Sequence, residues 1–329
     1  MKKVLLILMC CMAIQSVHAQ DTPKWADKAK KAVFSIVTYD KENKIKNTGN
    51  GFYIDNNGTA LSDYSLFEDA ERAVIINADG KELPVTRIAG ANSMYDVIKF
   101  RTETEKKITA LKVATQPAAV GETVYLLPYS TQKAATCQTG KVTQVDTIAD
   151  KAYYYTLTMT TSDKTVSCPI MNANGEVLGL IQKSASEEDK ESYAIGASYG
   201  ESLSISPLSA NDINLNKIGI AKALPETEDQ ALVYLYMSSS QMDAKNYLAT
   251  LNDFLQAYPN STEGYTRRAG YYMNIGDDEH NALAEADLKK AMDVSGNKTE
   301  GQYNVAKIIY SYCINLEEGK KAYGDTTKH

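Results

Sequence analysis

The chain has 329 residues, more than a single average domain needs. Its 41 acidic side chains outnumber 35 basic ones for a net charge of −6, and no basic cluster interrupts that excess. This argues against a nucleic-acid or anionic-membrane partner.

Residues 1–19 read as a secretion signal. Lys2 and Lys3 form its charged start, residues 4–14 its apolar core, and Val17-His18-Ala19 a small-residue cleavage site. The apolar core is too short for a stable membrane anchor. The expectation is an exported protein, periplasmic or secreted, whose first mature residue is Gln20. Cleavage leaves Cys137, Cys168 and Cys313, an odd number with no zinc-like spacing. Pairing of Cys137 with Cys168 is left open by sequence, and small buried thiols are the plainer reading. Histidine is scarcer: of three, His18 leaves with the signal, His280 lies late and His329 is terminal. Nothing between Gln20 and Glu279 carries an imidazole.

Trp25-Ala26-Asp27-Lys28-Ala29-Lys30 reads as a short amphipathic lead-in helix, and residues 32–39 as a β-branched, aromatic first strand. Gly49 to Asp55, the Asn56-Asn57-Gly58 turn and residues 59–62 make a hairpin signal. Residues 73–77, an Asp79-Gly80 turn and residues 82–88 make another. Short strands separated by turn signals, with no strand–helix alternation, predict an all-β barrel or sandwich.

Within residues 160–182, Pro169-Ile170-Met171 and Val177-Leu178-Gly179-Leu180 flank an Asn172-Ala173-Asn174-Gly175 turn. This resembles the passage after the nucleophile in trypsin-like serine peptidases of the bacterial high-temperature-requirement type. There Gly-Asn-Ser-Gly-Gly precedes the proline; here Lys164-Thr165-Val166-Ser167-Cys168 does. The resemblance puts Val166 at the nucleophile position. Gly49-Asn50-Gly51-Phe52 and the run from Gly58 to Phe67 resemble the passage leading to the catalytic histidine, and place Ser65 there. Gly90 to Ile98 resembles the aspartate passage, with Asp96 retained. Residues 120–128, 139–142 and 192–195 resemble successive strands of a second barrel, so the likeness covers about 32–203 in order.

What the resemblance implies is a trypsin-like double β-barrel without its chemistry. Acyl transfer by this route needs an oxygen nucleophile, an imidazole base and an orienting carboxylate. Ser65 and Val166 supply neither of the first two, which leaves Asp96 alone. Ser167 or Cys168 as a displaced nucleophile has no histidine to serve it. Lys164 and Cys168 stand where glycines would give the loop its freedom at positive φ. No Walker loop, dinucleotide-binding glycine pattern or metal-ligand spacing occurs, so neither cofactor nor metal is expected.

Around 204–223 the composition turns to Ser, Asn, Gly and Pro, and Leu224-Pro225 closes what reads as a linker. From Thr227 the spacing becomes helical. Thr262-Glu263-Gly264-Tyr265 recurs as Thr299-Glu300-Gly301-Gln302-Tyr303, at a separation somewhat above the roughly 34-residue tetratricopeptide period. Tyr265, Ala269 and Tyr272, then Ala284, Leu288 and Ala291, resemble the two helices of that repeat. A degenerate unit precedes them over 228–259, and a last helix covers 301–317. By that resemblance, Glu263, Thr266, Met273 and Asn274 face a concave surface, with Arg267 at its edge.

The expected architecture is multi-domain β plus α: a signal at 1–19, an inactive trypsin-like domain at 20–208, a linker at 209–226 and a tetratricopeptide-like domain at 227–329. The expected function is a non-catalytic binding protein or scaffold for a protein or peptide, with a serine-type endopeptidase as the alternative. Arg267, Met273 and Asn274 are the candidate binding residues. Ile195, on a strand read as open to extension by a peptide, marks the competing site.

Overall fold

A computed structural model describes residues 22–104, 108–134, 136–149, 152–182, 190–315 and 319–321. The expected secretion signal, His329 and the end of the last expected helix lie outside these residues.

The apolar alternation of the first two-thirds closes into two six-stranded antiparallel barrels. The first has the order β1-β2-β3-β6-β5-β4, from β1 (Val33–Tyr39), β2 (Ile45–Tyr53), β3 (Thr59–Ser62), β4 (Arg72–Ile76), β5 (Glu82–Asn92) and β6 (Val97–Thr102). The second runs β10-β11-β12-β9-β8-β7, from β7 (Thr123–Leu126), β8 (Gln138–Ala149), β9 (Ala152–Leu157), β10 (Pro169–Met171), β11 (Val177–Gln182) and β12 (Ser192–Gly196). Closure leaves neither sheet a free edge. Inward-facing Phe34, Phe52, Phe67 and Phe100 fill the first barrel, and Val124, Leu126, Leu157, Ile170, Leu180 and Ile195 the second. Buried Tyr53 needs a partner for its hydroxyl and finds Thr102 Oγ1 at 3.2 Å.

The lead-in forms α1 (Ala26–Ala29), continues as a 3₁₀ turn over Lys30–Ala32, and buries Ala26, Ala29 and Ala32. It ties the barrels together. Trp25 Nε1 donates to the Ala173 carbonyl at 3.0 Å, and its ring meets Tyr125 edge-on. Gly175 serves this contact twice: its φ is +76°, and a Cβ there would fall 2.7 Å from Trp25.

The stretch read as a linker is packed instead. After α2 (Ala197–Ser202), a 3₁₀ turn at Pro207–Asn211 leads to α3 (Ile213–Asn216), capped by Asp212. Ile218 and Ile220 are buried, Gly219 N–H donates to Ala70, and Ala221 and Ala223 bond both sides of Ile88. Ile218-Gly219-Ile220 is a short alternation, and its polar surroundings hide it from a composition argument.

The helical region contains α4 (Glu228–Ser238), α5 (Ala244–Ala257), α6 (Thr262–Ile275), α7 (Asp278–Val294) and α8 (Lys298–Asn315). Thr227, Asp243, Ser261 and Asp277 cap the first four through side-chain oxygens, and Gly276 ends α6 at φ +79°. Ala231, Leu235, Leu251, Phe254 and Leu255 join α4 to α5; Ala269, Met273, Ala284, Leu288 and Ala291 join α6 to α7, with Val305 and Tyr312 from α8. Arg268 grips nearly buried Asp287 through two bonds of 2.8 and 2.7 Å. The helices rest on the first barrel, where Tyr234 joins the barrel core and Arg87 pairs with Asp253.

Candidate functional site

The junction between the barrels, crossed by hydrogen bonds from Asn50 and Gln182, has Ser65 and Asp96 on the first barrel's side. Ser65 sits in a 3₁₀ turn (Tyr64–Leu66) directly after β3, and Asp96 in the β5–β6 turn at φ +46°. Ser65 N–H donates to Asp96 Oδ1 at 2.7 Å, and its hydroxyl to Oδ2 at 3.0 Å. The structure thus brings together the two positions that the resemblance assigns to base and orienter. A hydroxyl committed to a carboxylate cannot take a proton from a nucleophile as an imidazole does.

The second barrel supplies the turn 163–167, and Val166 is partly buried in it. Thr165 and Val166 both donate their N–H groups to the Ser162 carbonyl, at 2.8 and 3.2 Å. Asn50 reaches across from β2, and its amide donates to the carbonyls of Lys164 at 3.1 Å and Val166 at 2.9 Å. An oxyanion hole needs convergent free N–H donors. Here the Val166 donor is spent within the turn, and two carbonyls of the turn point at Asn50. The left-handed residue is Ser167, at φ +64°; neither Lys164 nor Cys168, expected to suffer from lost glycines, has a positive φ.

Neither displaced nucleophile is accessible. Ser167 and Cys168 are fully buried, and burial pushes the Cys168 thiol up to about 12, with Asp63 adding to the shift. Cys137 and Cys168 are separate free thiols. His280, the single histidine among the described residues, bonds Asp277 at the start of α7.

Two residues that sequence reasoning passed over complete the site. Asp63, between Ser62 and Tyr64, is buried; burial first and Asp96 second raise its carboxyl well above the ordinary range, and Ser167 offsets this in part. The Ser167 hydroxyl lies near enough to Asp63 to favour its ionised form, although the strict geometry of a hydrogen bond is not met by the Ser167 Oγ or the Asp63 Oδ1. Asn50 is buried as well, and Ser62 donates to its carbonyl at 2.7 Å. The available signal was a charged residue closing the apolar Ala60-Leu61 strand.

The other candidates separate on burial. Ile195 is fully buried, and β12 pairs with β11 on one side and β9 on the other, so peptide addition at this strand has no free edge. Its apolar run is that of an interior strand. Met273 and Thr266 are also buried, because Thr266, Ala269 and Met273 share the face that meets the neighbouring helices. Met273 is therefore not a surface contact. The outward stripe is Glu263, Arg267, Gly270 and Asn274, with Glu263 and Asn274 exposed. Arg267 is 24% exposed, pairs with Glu263 at 2.9 Å, and lies 6.0 Å from the ring of Tyr236, which is 70% exposed. Its Nε is buried without a partner.

A cleft of about 790 Å³ separates the first barrel from the helices, lined by Glu71, Lys222 and Tyr234 among others. Burial lowers Lys222 to about 8 against the pull of Glu71, and its ammonium donates to the carbonyls of Ile218 and Ile220. Among the described residues, no group of three or more His, Cys, Asp or Glu side chains is placed to hold a metal ion. No described helix is long and apolar enough to cross a membrane.

Residues 49–180 match the family model of the trypsin-like peptidase domain. A comparison with curated proteins finds no match. The chain carries a trypsin-like peptidase domain built as two barrels and followed by helices.

Proposed function

We propose that this is an exported, non-catalytic binding protein: a peptidase-type double barrel of the bacterial high-temperature-requirement kind, without turnover, joined to tetratricopeptide-like helices that hold a protein or peptide. The observation that carries this reading is the state of Val166. It occupies the nucleophile position by resemblance, has no attacking atom, and spends its N–H on Ser162. Ser65, at the base position, donates to Asp96 instead of accepting from a nucleophile. The competing reading, a serine-type endopeptidase, is favoured by the family match over 49–180. Losing nucleophile or base costs about 10⁶ in kcat in the subtilisin series. The purified protein is expected to leave a fluorophosphonate probe unbound and casein uncut above a buffer blank; stoichiometric labelling would overturn the proposal.

Binding is assigned to the outward stripe of α6 with Tyr236 of α4. Arg267 offers a cation between an acid and an aromatic face, suited to a partner carboxylate, and Asn274 extends the polar line. With Met273 and Ile195 buried, neither contributes a contact. With a partner captured from the envelope fraction of the exporting cell, Arg267→Glu should lower retention at least about tenfold, in line with a lost charge-assisted bond. Unchanged retention by a folded Arg267→Glu protein would move the site elsewhere.

A further inference from the structure

We infer that the cleft between the first barrel and the helices is a covalent site: the Lys222 amine takes up a small uncharged aldehyde or ketone there as an imine. The cleft, about 790 Å³, has room for such a molecule, and Lys222 lines it. The backbone here is fixed. Lys222 bridges Ile88 of β5, and the neighbouring Ala221 and Ala223 bond both sides of Ile88. The partly buried side chain turns back on its own segment, and Nζ donates to the carbonyls of Ile218 and Ile220. Those two bonds use both protons of a neutral amine. Its lone pair is left over for an electrophile.

The surroundings favour that neutral form. Among the described residues Lys222 has no ion-pair partner, and an ammonium taken out of water without one is costly. Glu71 is the acid that acts on it. A Cβ at Gly219 would strike the Glu71 carboxylate, which places that acid beside the same segment without pairing with the amine. Burial outweighs Glu71 and lowers Lys222 to about 8, so near neutral pH an appreciable share is uncharged. Lys217 gives the contrast within one cleft: it is exposed, and its 2.7 Å bond to Glu68 raises it. Charge also selects the ligand. Five carboxylates and four lysines line the cleft, so neither sign gathers an ion of the other. Ile220, Tyr234 and Met242 give a carbon chain an apolar wall.

The step balances without a further reagent. The nitrogen lone pair attacks the carbonyl carbon to give a carbinolamine. Both amine protons then leave with the carbonyl oxygen as one water, and C=N replaces C=O. The imine nitrogen no longer donates to Ile218 and Ile220. Both residues line the cleft, so water there takes up their carbonyls.

Reductive trapping on the purified full chain tests this and needs no variant. Propionaldehyde at limiting dose with cyanoborohydride converts each imine into a stable propyl-lysine, and peptide mass mapping measures it at every lysine. At about pH 7.5, Lys222 should be modified at least about tenfold faster than Lys217, and the preference should vanish once urea unfolds the chain. Glyoxylate, an aldehyde that carries a carboxylate past Glu71, should lower the Lys222-to-Lys217 ratio at least about threefold. Equal modification of the two lysines, a preference that survives unfolding, or a ratio unmoved with glyoxylate would each overturn the site.

Discussion

The two barrels contribute to one junction in opposite ways. The first keeps a charge-assisted pair, Ser65 on Asp96, at the place the family resemblance gives to base and orienter. The second offers a turn whose Val166 donor is folded inward and whose carbonyls are tied down by Asn50. Both barrels nevertheless close, with filled interiors and ladders interrupted only by register shifts. The contrast shows which interactions carry the fold. Register and core packing close each barrel, whereas the cleft loops hang from strand ends and can be rewritten at small cost.

Asn50 is where this comparison breaks most easily, because one buried amide serves both barrels. Asn50→Ala leaves the Lys164 and Val166 carbonyls without their donor and should destabilise the protein by about 1–3 kcal/mol. Thermal melting would show it, and hydrogen exchange should find the loosening at 163–167 and not at Ser65. A variant as stable as the parent would mean that the turn holds itself.

How much of this was legible depended on whether one segment carried its own signal. The β2–β3 and β4–β5 hairpins announced themselves through Asn57-Gly58 and Asp79-Gly80, and the two-barrel outline followed. The helical spacing from Thr227 onward was equally plain, and the structure adds Asp243, Ser261 and Asp277 as further side-chain caps. Long-range choices were not legible. Ile218 and Ile220 count as core only because β5 offers Ile88 a partner chain on that side. Met273 was placed a face away from its true position, because a 3.6-residue period leaves neighbouring stripes of α6 nearly equivalent until the packing partner is known. Asp63 and Asn50 belong to a junction between segments far apart in sequence; the one local hint was a charge closing the Ala60-Leu61 strand, and an Asp in an ordinary turn gives the same hint.

The smallest effect is expected where the sequence invites the largest. Restoring the missing groups with Ser65→His and Val166→Ser would place a base beside Asp96 and a hydroxyl on the turn. The resemblance alone predicts that turnover returns. The geometry predicts that it stays at the buffer level, because a serine at 166 inherits a backbone N–H bonded to Ser162, and the Lys164 and Val166 carbonyls still face Asn50. Each oxyanion donor removed costs about 10²–10³ in kcat, and a misdirected turn also misplaces the nucleophile. Fluorophosphonate labelling measures the hydroxyl's activation directly, and casein cleavage measures turnover. If the double variant labels stoichiometrically and cleaves, the turn is no obstacle, and the difference between the barrels reduces to two side chains.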